Sequence, residues 1–322
     1  MPLPDWTRAY GSQLFAACIR ATPADFDVTE ELGYEFDGTG EHDFLYVEKI
    51  GANTEWVSRA LAKFADVPAN DVGYSGLKDR NAVTRQWFSV PRWNSPDWSA
   101  FELEGISILD VQRHSKKLRR GAHKANHFRI VLRDIGGNTE SLAERLQTIA
   151  TQGVPNYFGP QRFGREGGNI RLADDWAAGK RLPRHKRSIA ISSARSFLFN
   201  EALAQRVIDG TWNHIVPGDL ANLDGTGSVF SVEDIDADIE RRCTEMDIHP
   251  AAEMSGDGSD CGHQVWQKAF NNGRVKPGSR SLRLRVSDLQ ADVRADSIEL
   301  TFMLGRGSFA TSVLREIVDV SN

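Results

Sequence analysis

Apolar and polar residues alternate in short segments near both ends of this chain, and that pattern leaves few possible folds. Such alternation is typical of strands that bury one face against a core. The alternating segments lie at 25–32, 42–50, 86–92, 105–115, 127–135, 281–293 and 297–304. Between the fifth and the sixth, mixed helix and loop are expected. The pattern predicts one strand-rich domain built from both ends of the chain, with a second domain inserted between about 154 and 283.

Helical spacing of apolar residues predicts the helices. They are expected at 53–67, 138–153, 193–210, 231–246 and 305–320. The first has a stripe that we interpret as core, formed by Trp56, Val57, Ala60, Leu61 and Phe64. The second ends at Gly153, a residue type that favours helix termination. Helices therefore flank strands in the expected fold.

Length and composition limit the class of protein. At 322 residues, the chain exceeds the roughly 250–300 residues that one hydrophobic core usually serves, so two domains are expected. No apolar run approaches the roughly 18 residues that span a bilayer, and no membrane association is expected. The N-terminus lacks a secretory signal pattern, and the cysteines are far apart, as reduced thiols are. We expect a cytoplasmic protein that is a monomer.

Charge is distributed unevenly along the sequence. The net charge is −5, but residues 219–260 hold twelve Asp and Glu against two Arg, a local −10 that leaves +5 on the rest. The segment 113–133 has eight Lys and Arg, three His and no acidic residue, and 180–187 has five Lys and Arg. Each cation can neutralise a phosphate and release counterions. The clusters favour RNA or DNA binding over a solvated cationic surface, without separating RNA from DNA.

The segment SGLKDRNAVTRQW, residues 75–87, places the carboxylate of Asp79 between Lys78 and Arg80. Nearby cations favour the ionised carboxylate, which is the form that acts as a nucleophile or a base. Adjacent side chains of an extended chain point to opposite faces, so the cations that Asp79 contacts need not be these two. Taken alone, the segment is better explained by a surface turn with satisfied charges.

Residues 153–169, GVPNYFGPQRFGREGGN, combine aromatic side chains and arginines with five glycines. An aromatic ring such as Phe163 beside Arg162 can stack an unpaired base, and glycines let a backbone approach phosphate. The segment lacks the Lys-Ser/Thr ending of a P-loop, so no nucleotide cofactor is expected. A hinge between domains explains the same residues equally well.

Asn126 and Phe128 lie at the start of a predicted strand, beside the basic segment. A single phenylalanine there is usually a core residue, but its neighbours make it a platform on which a splayed-out base can stack. Motifs of acyl-transfer or metal enzymes are absent from the sequence. The Cys261 and His263 pair has no partner pair at zinc-like spacing, so no metal is expected.

Six segments, read in order, carry a specific combination of patterns. They are 21–54, 75–87, 114–133, 153–169, 193–201 and 307–316. Together, and above all through G-x-K-D-R/K-x-A-x-T-x-Q and N-Y-F-G-x-Q-R-F-G, they resemble the TruD family of tRNA pseudouridine synthases. The resemblance implies an α+β fold with a catalytic domain at 1–153 plus 284–322, in which helices flank a mixed, largely antiparallel sheet. It also implies an inserted α/β TRUD domain at 154–283.

The resemblance implies isomerisation of uridine 13 of tRNA to pseudouridine. Uracil leaves through its N1–C1′ bond, turns over while bound and rejoins through C5, so a carboxylate and a stacking ring suffice and no cofactor is expected. The catalytic aspartate of the family falls on Asp79, and its Asn-x-Phe element falls on Asn126 and Phe128. Asp79 either attacks C1′ or removes the 2′ proton to give a glycal.

Under this interpretation, Phe128 stacks a flipped-out uracil and Asn126 orients it. Flipping the base costs about a few kcal/mol, which contacts to the RNA backbone offset. The other expected substrate-binding residues are Lys78, Arg80, Arg162 and Phe163. Arg162 and the basic residues at 116–124 contact phosphates, and the inserted domain clamps the tRNA. Two other functions stay open, namely a non-catalytic RNA-binding protein on the same scaffold and a metal-dependent nuclease with Asp79 as a ligand.

Overall fold

The computed structural model describes residues 3–321, and the chain divides into two compact units. The sheet unit comprises Leu14–Leu146, Val286–Gly307 and the residues from Val318 onward. The helical unit comprises the residues up to Gln13, Gln147–Arg285 and Ser308–Ile317. These boundaries differ from the sequence-based division at both ends of the chain, where short segments belong to the helical unit.

Strands and helices of the described residues form an α+β arrangement, as predicted. The strands are β1 (Phe15–Ile19), β2 (Phe26–Leu32), β3 (His42–Ile50), β4 (Gly73–Tyr74), β5 (Val83–Pro91), β6 (Ile106–His114), β7 (His123–Gly137), β8 (Val154–Pro155), β9 (Asp219–Leu223), β10 (Val229–Val232), β11 (Ile248–Met254), β12 (Gly278–Ser281), β13 (Arg283–Leu284), β14 (Ser287–Val293), β15 (Ser297–Gly305) and β16 (Val318–Ser321). The helices are α1 (Thr54–Phe64), α2 (Leu142–Gln152), α3 (Gly168–Ala177), α4 (Arg184–Ile208), α5 (Ala237–Thr244), α6 (Gln264–Asn272) and α7 (Ala310–Leu314).

The sheet unit is organised around a ten-stranded sheet whose main order is β14-β15-β7-β2-β5-β3-β6. Off this path, β1 pairs with β7 and β16, and β4 pairs with β5. The pairs β1–β16 and β2–β5 are parallel, and the other described pairs of this sheet are antiparallel. The mixed, largely antiparallel sheet predicted from the sequence is therefore confirmed.

Helix α1 covers part of this sheet. Val57 and Leu61, four residues apart, are fully buried in a cluster with Val47 and other strand residues. Trp56 and Phe64, which were predicted to belong to the buried stripe, are instead 47% and 37% exposed. Successive residues of a helix are about 100° apart, so a buried face centred on Val57 leaves its neighbour Trp56 toward solvent.

The C-terminal segment differs from the helix predicted at 305–320. Helix α7 is five residues long, and the chain then enters β16, in which Val318 pairs with Phe15 and Val320 with Ala17 of β1. β-Branched residues favour strands when a partner strand is present. Here that partner lies about 300 residues earlier in the chain, so local sequence does not reveal it.

The helical unit contains a four-stranded antiparallel sheet of order β10-β9-β11-β12 and the short pair β8–β13. The four strands lie where mixed helix and loop were predicted, because each has only four to seven residues and little alternation. Helices α3, α4 and α6 share a core that includes Ala173, Ala194 and Phe270. Within residues 3–321, no helix combines the length and the apolar character needed to cross a membrane.

Candidate active site

Asp79 lies in the loop between β4 and β5, and its side chain is 54% exposed. Its carboxylate accepts a hydrogen bond from Nη2 of Arg20 at 2.9 Å. Arg20 follows β1, 59 residues earlier in the chain, and has a φ of 59°, a region that arginine rarely adopts. The acid is therefore accessible and is paired with a cation that sequence reasoning missed.

Main-chain contacts hold the loop on both sides of this acid. The buried Lys49 donates from Nζ to the main-chain oxygens of Asp79 and Ala52, each at 2.8 Å. The main-chain N–H of Lys78 donates to Oγ1 of Thr54 at 3.0 Å. Arg80 donates from Nε to the main-chain oxygen of Gly51 at 3.1 Å. Such bonds fix the position of a reactive group more tightly than a free loop would.

Lys78 has a structural role rather than the predicted contact with substrate. Its Nζ lies 2.6 Å from Oε2 of Glu30, and the two side chains are 6% and 0% exposed. Ser75 also donates to Oε2 of Glu30. The buried carboxylate already uses the charge of Lys78, so the structure contradicts a direct role for this ammonium in binding RNA.

Strand register places Lys49 and Phe128 on the same face of the sheet. Lys49 of β3 lies opposite Thr84 of β5. Thr84 lies opposite Val28 of β2, which in turn lies opposite Phe128 of β7. Directly paired residues point to one face, and neighbouring strands are about 4.8 Å apart, so Phe128 is about 14 Å from Lys49 along the sheet. Because Lys49 binds the main chain of Asp79, the loop lies over the face that carries Phe128.

A continuous series of contacts also joins Asp79 to Phe128. The guanidinium of Arg20, which pairs with Asp79, lies 4.0 Å from the ring centre of Phe26. The Phe26 ring meets the Phe128 ring edge-on, with centres 6.2 Å apart. Phe302 stacks on Phe128 at 5.2 Å with an interplanar angle of 20°. One side of the half-buried Phe128 ring is thus supported by protein, which holds the ring in a fixed orientation.

Several polar atoms around this face are buried and lack a hydrogen-bond partner among residues 3–321. They include Nε of Arg20, Oγ1 of Thr84, Nδ1 of His123 and Oδ1 of Asn126. His123 lies beside the Asp79 loop. A methyl group in place of a hydrogen of Gly76, a residue of that loop, would be 3.7 Å from the imidazole ring of His123. Burial lowers the pKa of the His123 imidazole. Buried polar atoms are normally paired. These four atoms can therefore bind a ligand or waters that offer the missing donors and acceptors.

Burial also acts on Lys49, whose side chain has no exposed surface. It lowers the pKa of the Lys49 ammonium to about 8, although the nearby Asp79 carboxylate opposes the change. The amine is therefore less firmly charged than an exposed lysine, while it still donates to two carbonyl groups.

The basic segment of the sheet unit is exposed and borders a groove of about 480 Å³. The basic side chains that line this groove are Arg59, Lys117, Arg119 and Arg120. The guanidinium of Arg120 stacks 3.6 Å from the ring centre of Tyr74, the last residue of β4 before the Asp79 loop. Glu55 is the acid in the lining. The groove offers several cations to a polyanion.

The remaining predicted residues have different environments. Arg80 is exposed, and its Nε bonds to Gly51. Arg162 and Phe163 belong to the helical unit, where Phe163 has no exposed surface and packs against Trp6 and Phe197. A ring without exposed surface cannot stack on a base, so the structure contradicts the substrate contact predicted for Phe163.

The residues that the structure describes contain no group of three or more His, Cys, Asp or Glu side chains arranged to hold a metal ion.

Comparison with known proteins gives matches along nearly the whole chain. A family model described as tRNA pseudouridine synthase D (TruD) matches residues 8–175 and 171–317. A tRNA pseudouridine synthase D of Methylococcus capsulatus is 43% identical over 336 residues, covering 98% of this chain and 94% of the relative. A protein of the same name from Hydrogenovibrio crunogenus is 38% identical and covers 97% and 95%.

A crystal structure of the putative tRNA pseudouridine synthase D from Methanosarcina mazei has the same fold. It superposes with a TM-score of 0.75 at 20% sequence identity and covers 98% of both chains. The extent of the family match and the identity to the curated relatives decide the classification, whereas this structure supports the fold. The chain belongs to the tRNA pseudouridine synthase D (TruD) family.

Proposed function

We propose that the protein isomerises a uridine of tRNA to pseudouridine, at position 13, with Asp79 as the catalytic group. The observation that carries this proposal is the geometry of Asp79. It is exposed, its main chain is fixed by Lys49, and contacts through Arg20 and Phe26 connect it to Phe128. A carboxylate and an aromatic ring on one face of a sheet are what the rearrangement of a flipped-out uridine requires.

The bonds that change in this reaction can be counted. The N1–C1′ bond breaks, a C5–C1′ bond forms, and the hydrogen of C5 leaves as a proton while N1 gains one. Nothing is oxidised or reduced. Asp79 acts either by bonding to C1′ as uracil departs, or by removing the 2′ proton to form a glycal. Both routes need the carboxylate close to the sugar, and both keep uracil bound while it turns.

Phe128 and Asn126 hold the base in this proposal. The side of the Phe128 ring that is not covered by Phe302 offers a stacking surface. The buried Oδ1 of Asn126, which has no partner among the described residues, accepts a hydrogen bond from an N–H of uracil. Arg80, the exposed basic residues at 116–124 and Arg162 contact phosphates.

Phe128→Leu tests the stacking role. Stacking of a base on an aromatic ring contributes about 1–3 kcal/mol, so we expect kcat/KM to fall roughly 5- to 150-fold. Phe302→Leu is the matched control, since it removes the other ring of the same stack. Phe302 is only 2% exposed, so its ring cannot contact a base directly. Steady-state kinetics of both variants distinguish the roles. Equal losses in the two variants would show that Phe128 acts through packing alone.

Lys49→Met tests the main-chain clamp. Loss of two hydrogen bonds from Nζ loosens the Asp79 loop, so we expect kcat to fall roughly 10- to 100-fold with little change in RNA affinity. A packing role alone would leave kcat unchanged in this variant of similar size. Single-turnover rates and RNA affinity, measured on the same preparations, separate the two cases.

The lowered pKa of Lys49 also predicts that the stability of the fold depends on pH. An unfolded chain binds the lysine proton up to pH 10.5, whereas the folded chain releases it near pH 8. Below pH 8 both states are protonated, and burial of the charge destabilises the fold. Between pH 8 and pH 10.5 the unfolded state binds more protons than the folded state. The free energy of unfolding of the wild-type protein, compared with that of Lys49→Met, should therefore rise with pH over this range. Denaturant titrations of both proteins at about pH 7 and pH 10 measure the difference in the free energy of unfolding. The same difference at both pH values would contradict the prediction.

The proposed activity can be assayed through the hydrogen at C5. When C5 bonds to C1′, tritium placed at C5 of the tRNA uridines passes to water. We expect release of about one tritium per competent tRNA, with the RNA chain intact and no sensitivity to EDTA. RNA cleavage that EDTA stops would instead indicate a metal-dependent nuclease. Tight tRNA binding without any tritium release would indicate a non-catalytic RNA-binding protein.

A further inference from the structure

A second basic groove, of about 520 Å³, lies within the helical unit. Its arginines are Arg162, Arg184, Arg187 and Arg195. The last three belong to α4, where spacings of three and eight residues place them along one face. From Arg184 to Ser196 the helix rises about 18 Å, so the groove is longer than a single phosphate group. We call it the α4 groove.

The hydrogen bonds of the arginines in the α4 groove go to neutral oxygens. Arg162 donates to the hydroxyl of Ser192 at 3.0 Å, and Arg195 donates to the main-chain oxygen of Met254 at 2.9 Å. Arg187 is 3.4 Å from the main-chain oxygen of Gly273. No carboxylate is among the lining residues, and none of the four arginines forms an ion pair within residues 3–321. The positive charge of the groove is thus left without a directly bonded carboxylate.

Some other arginines of the same unit are paired with carboxylates. Arg206 forms an ion pair with Asp219 at 2.7 Å, and Arg241 lies within 2.7 Å of Glu245. The unit is not short of acids either, because residues 219–260 have a local charge of −10. The α4 groove therefore lacks carboxylates in its lining although acids are abundant elsewhere in the same unit.

Two of the arginines are also partly withdrawn from water. Burial lowers the pKa of both the Arg162 and the Arg195 guanidinium, and Nε of Arg195 is buried without a hydrogen-bond partner in the described structure. Glu253 partly offsets this effect at Arg195. Burying a cation without a carboxylate destabilises a protein unless an anion supplies the missing partner. An open groove with such cations is suited to an external anion.

The chemistry of the lining identifies the anion. Arginine forks match the oxygens of a phosphate, and the hydroxyls of Ser188 and Ser192 add neutral donors along the same helix face. The length of the groove fits a chain of phosphates better than one free phosphate. We propose that the α4 groove binds the phosphodiester backbone of the substrate RNA, an inference that rests on the proposed action on tRNA.

Arg184→Gln/Arg187→Gln tests this inference. Both side chains are exposed on the first turn of α4, so their replacement should leave the fold intact. We expect tRNA affinity at about 0.1 M salt to fall roughly tenfold, and the slope of log affinity against log salt to become shallower by about 1 to 2. KM for tRNA should rise while kcat at saturating tRNA stays unchanged, because neither residue lies in the sheet unit that holds Asp79.

Arg241→Gln/Arg242→Gln is the matched control, since it removes two charges from α5 of the same unit where both arginines are paired with acids. This control should bind tRNA like wild type. Arg195→Gln provides a second, independent variant with the same expected direction. Wild-type affinity and salt slope in the α4 variants would overturn the inference.

Two further results separate the groove from the proposed reaction. If wild type binds tRNA but releases no tritium, the proposed function fails, while the binding comparison still decides the role of the groove. If titration calorimetry shows that inorganic phosphate alone binds wild type but not the α4 variants, and tRNA affinity is unchanged, the groove is a small-anion site and the RNA inference fails.

Discussion

Asp79→Asn is expected to lower pseudouridine formation by at least about 10⁴-fold, because an amide neither bonds to C1′ nor removes a proton. The substitution keeps the shape of the side chain, so binding of tRNA should change by less than about threefold. Tritium release under single-turnover conditions measures the chemical step, and filter binding on the same preparation measures affinity.

Asp66→Asn is the control for this substitution. Asp66 is another exposed aspartate of the sheet unit, and its φ of 52° suits asparagine. It should retain wild-type activity. A kcat within about tenfold of wild type in Asp79→Asn would remove the carboxylate from the chemical step and leave the site without its proposed catalytic group.

Glu30→Gln is expected to reduce the free energy of unfolding by about 3–5 kcal/mol, because it leaves the buried ammonium of Lys78 without a counter-charge. In a unit of this size, that loss lowers the melting temperature on the order of 10 °C. The Asp79 loop begins beside Lys78, so kcat should fall as well. Thermal unfolding followed by circular dichroism checks the stability.

The neighbouring residue supplies the control for Glu30. Glu31 pairs with Lys124 and His127 at 2.8 Å, but these partners are 62% and 48% exposed. Exposed ion pairs contribute little, so Glu31→Gln should change stability by less than about 1 kcal/mol. Two substitutions of the same chemistry at adjacent positions then differ mainly in burial. Equal stability of the two variants would contradict a desolvated pair at Glu30.

The strands of the sheet unit could be predicted because burial alternates along them. In β15, Ile298, Leu300, Phe302 and Leu304 are buried at every second position, which is the pattern that the sequence shows. β1 and β16 could not be predicted, since each has four or five residues and pairs with strands that are distant in the chain. Local sequence carries no record of such a partner.

The N-terminal half of α4 was also missed. The basic residues of 180–187 were interpreted as a charge cluster, but from Arg184 onward they belong to the helix, which starts after Pro183. A run of like charges does not predict a helix, and here burial of Ala190 and Ala194 in the core stabilises it. The same placement aligns Arg184 and Arg187 with Arg195.

The candidate site could be predicted only in part. A motif marks Asp79, but its contacts with Arg20 and Lys49 span 59 and 30 residues and depend on strand order. Composition around Phe163 suggested base stacking, whereas the ring fills the core of the helical unit. Sequence shows which side chains are available, but burial decides which of them can meet a ligand.

Mapping pseudouridine in tRNA after incubation with the purified protein tests the central claim most directly. The account predicts that one uridine, at position 13, is converted by the wild-type protein and not by Asp79→Asn, with the tRNA chain intact and no uracil released. Conversion by Asp79→Asn at the wild-type rate, or free uracil as the product, would contradict it.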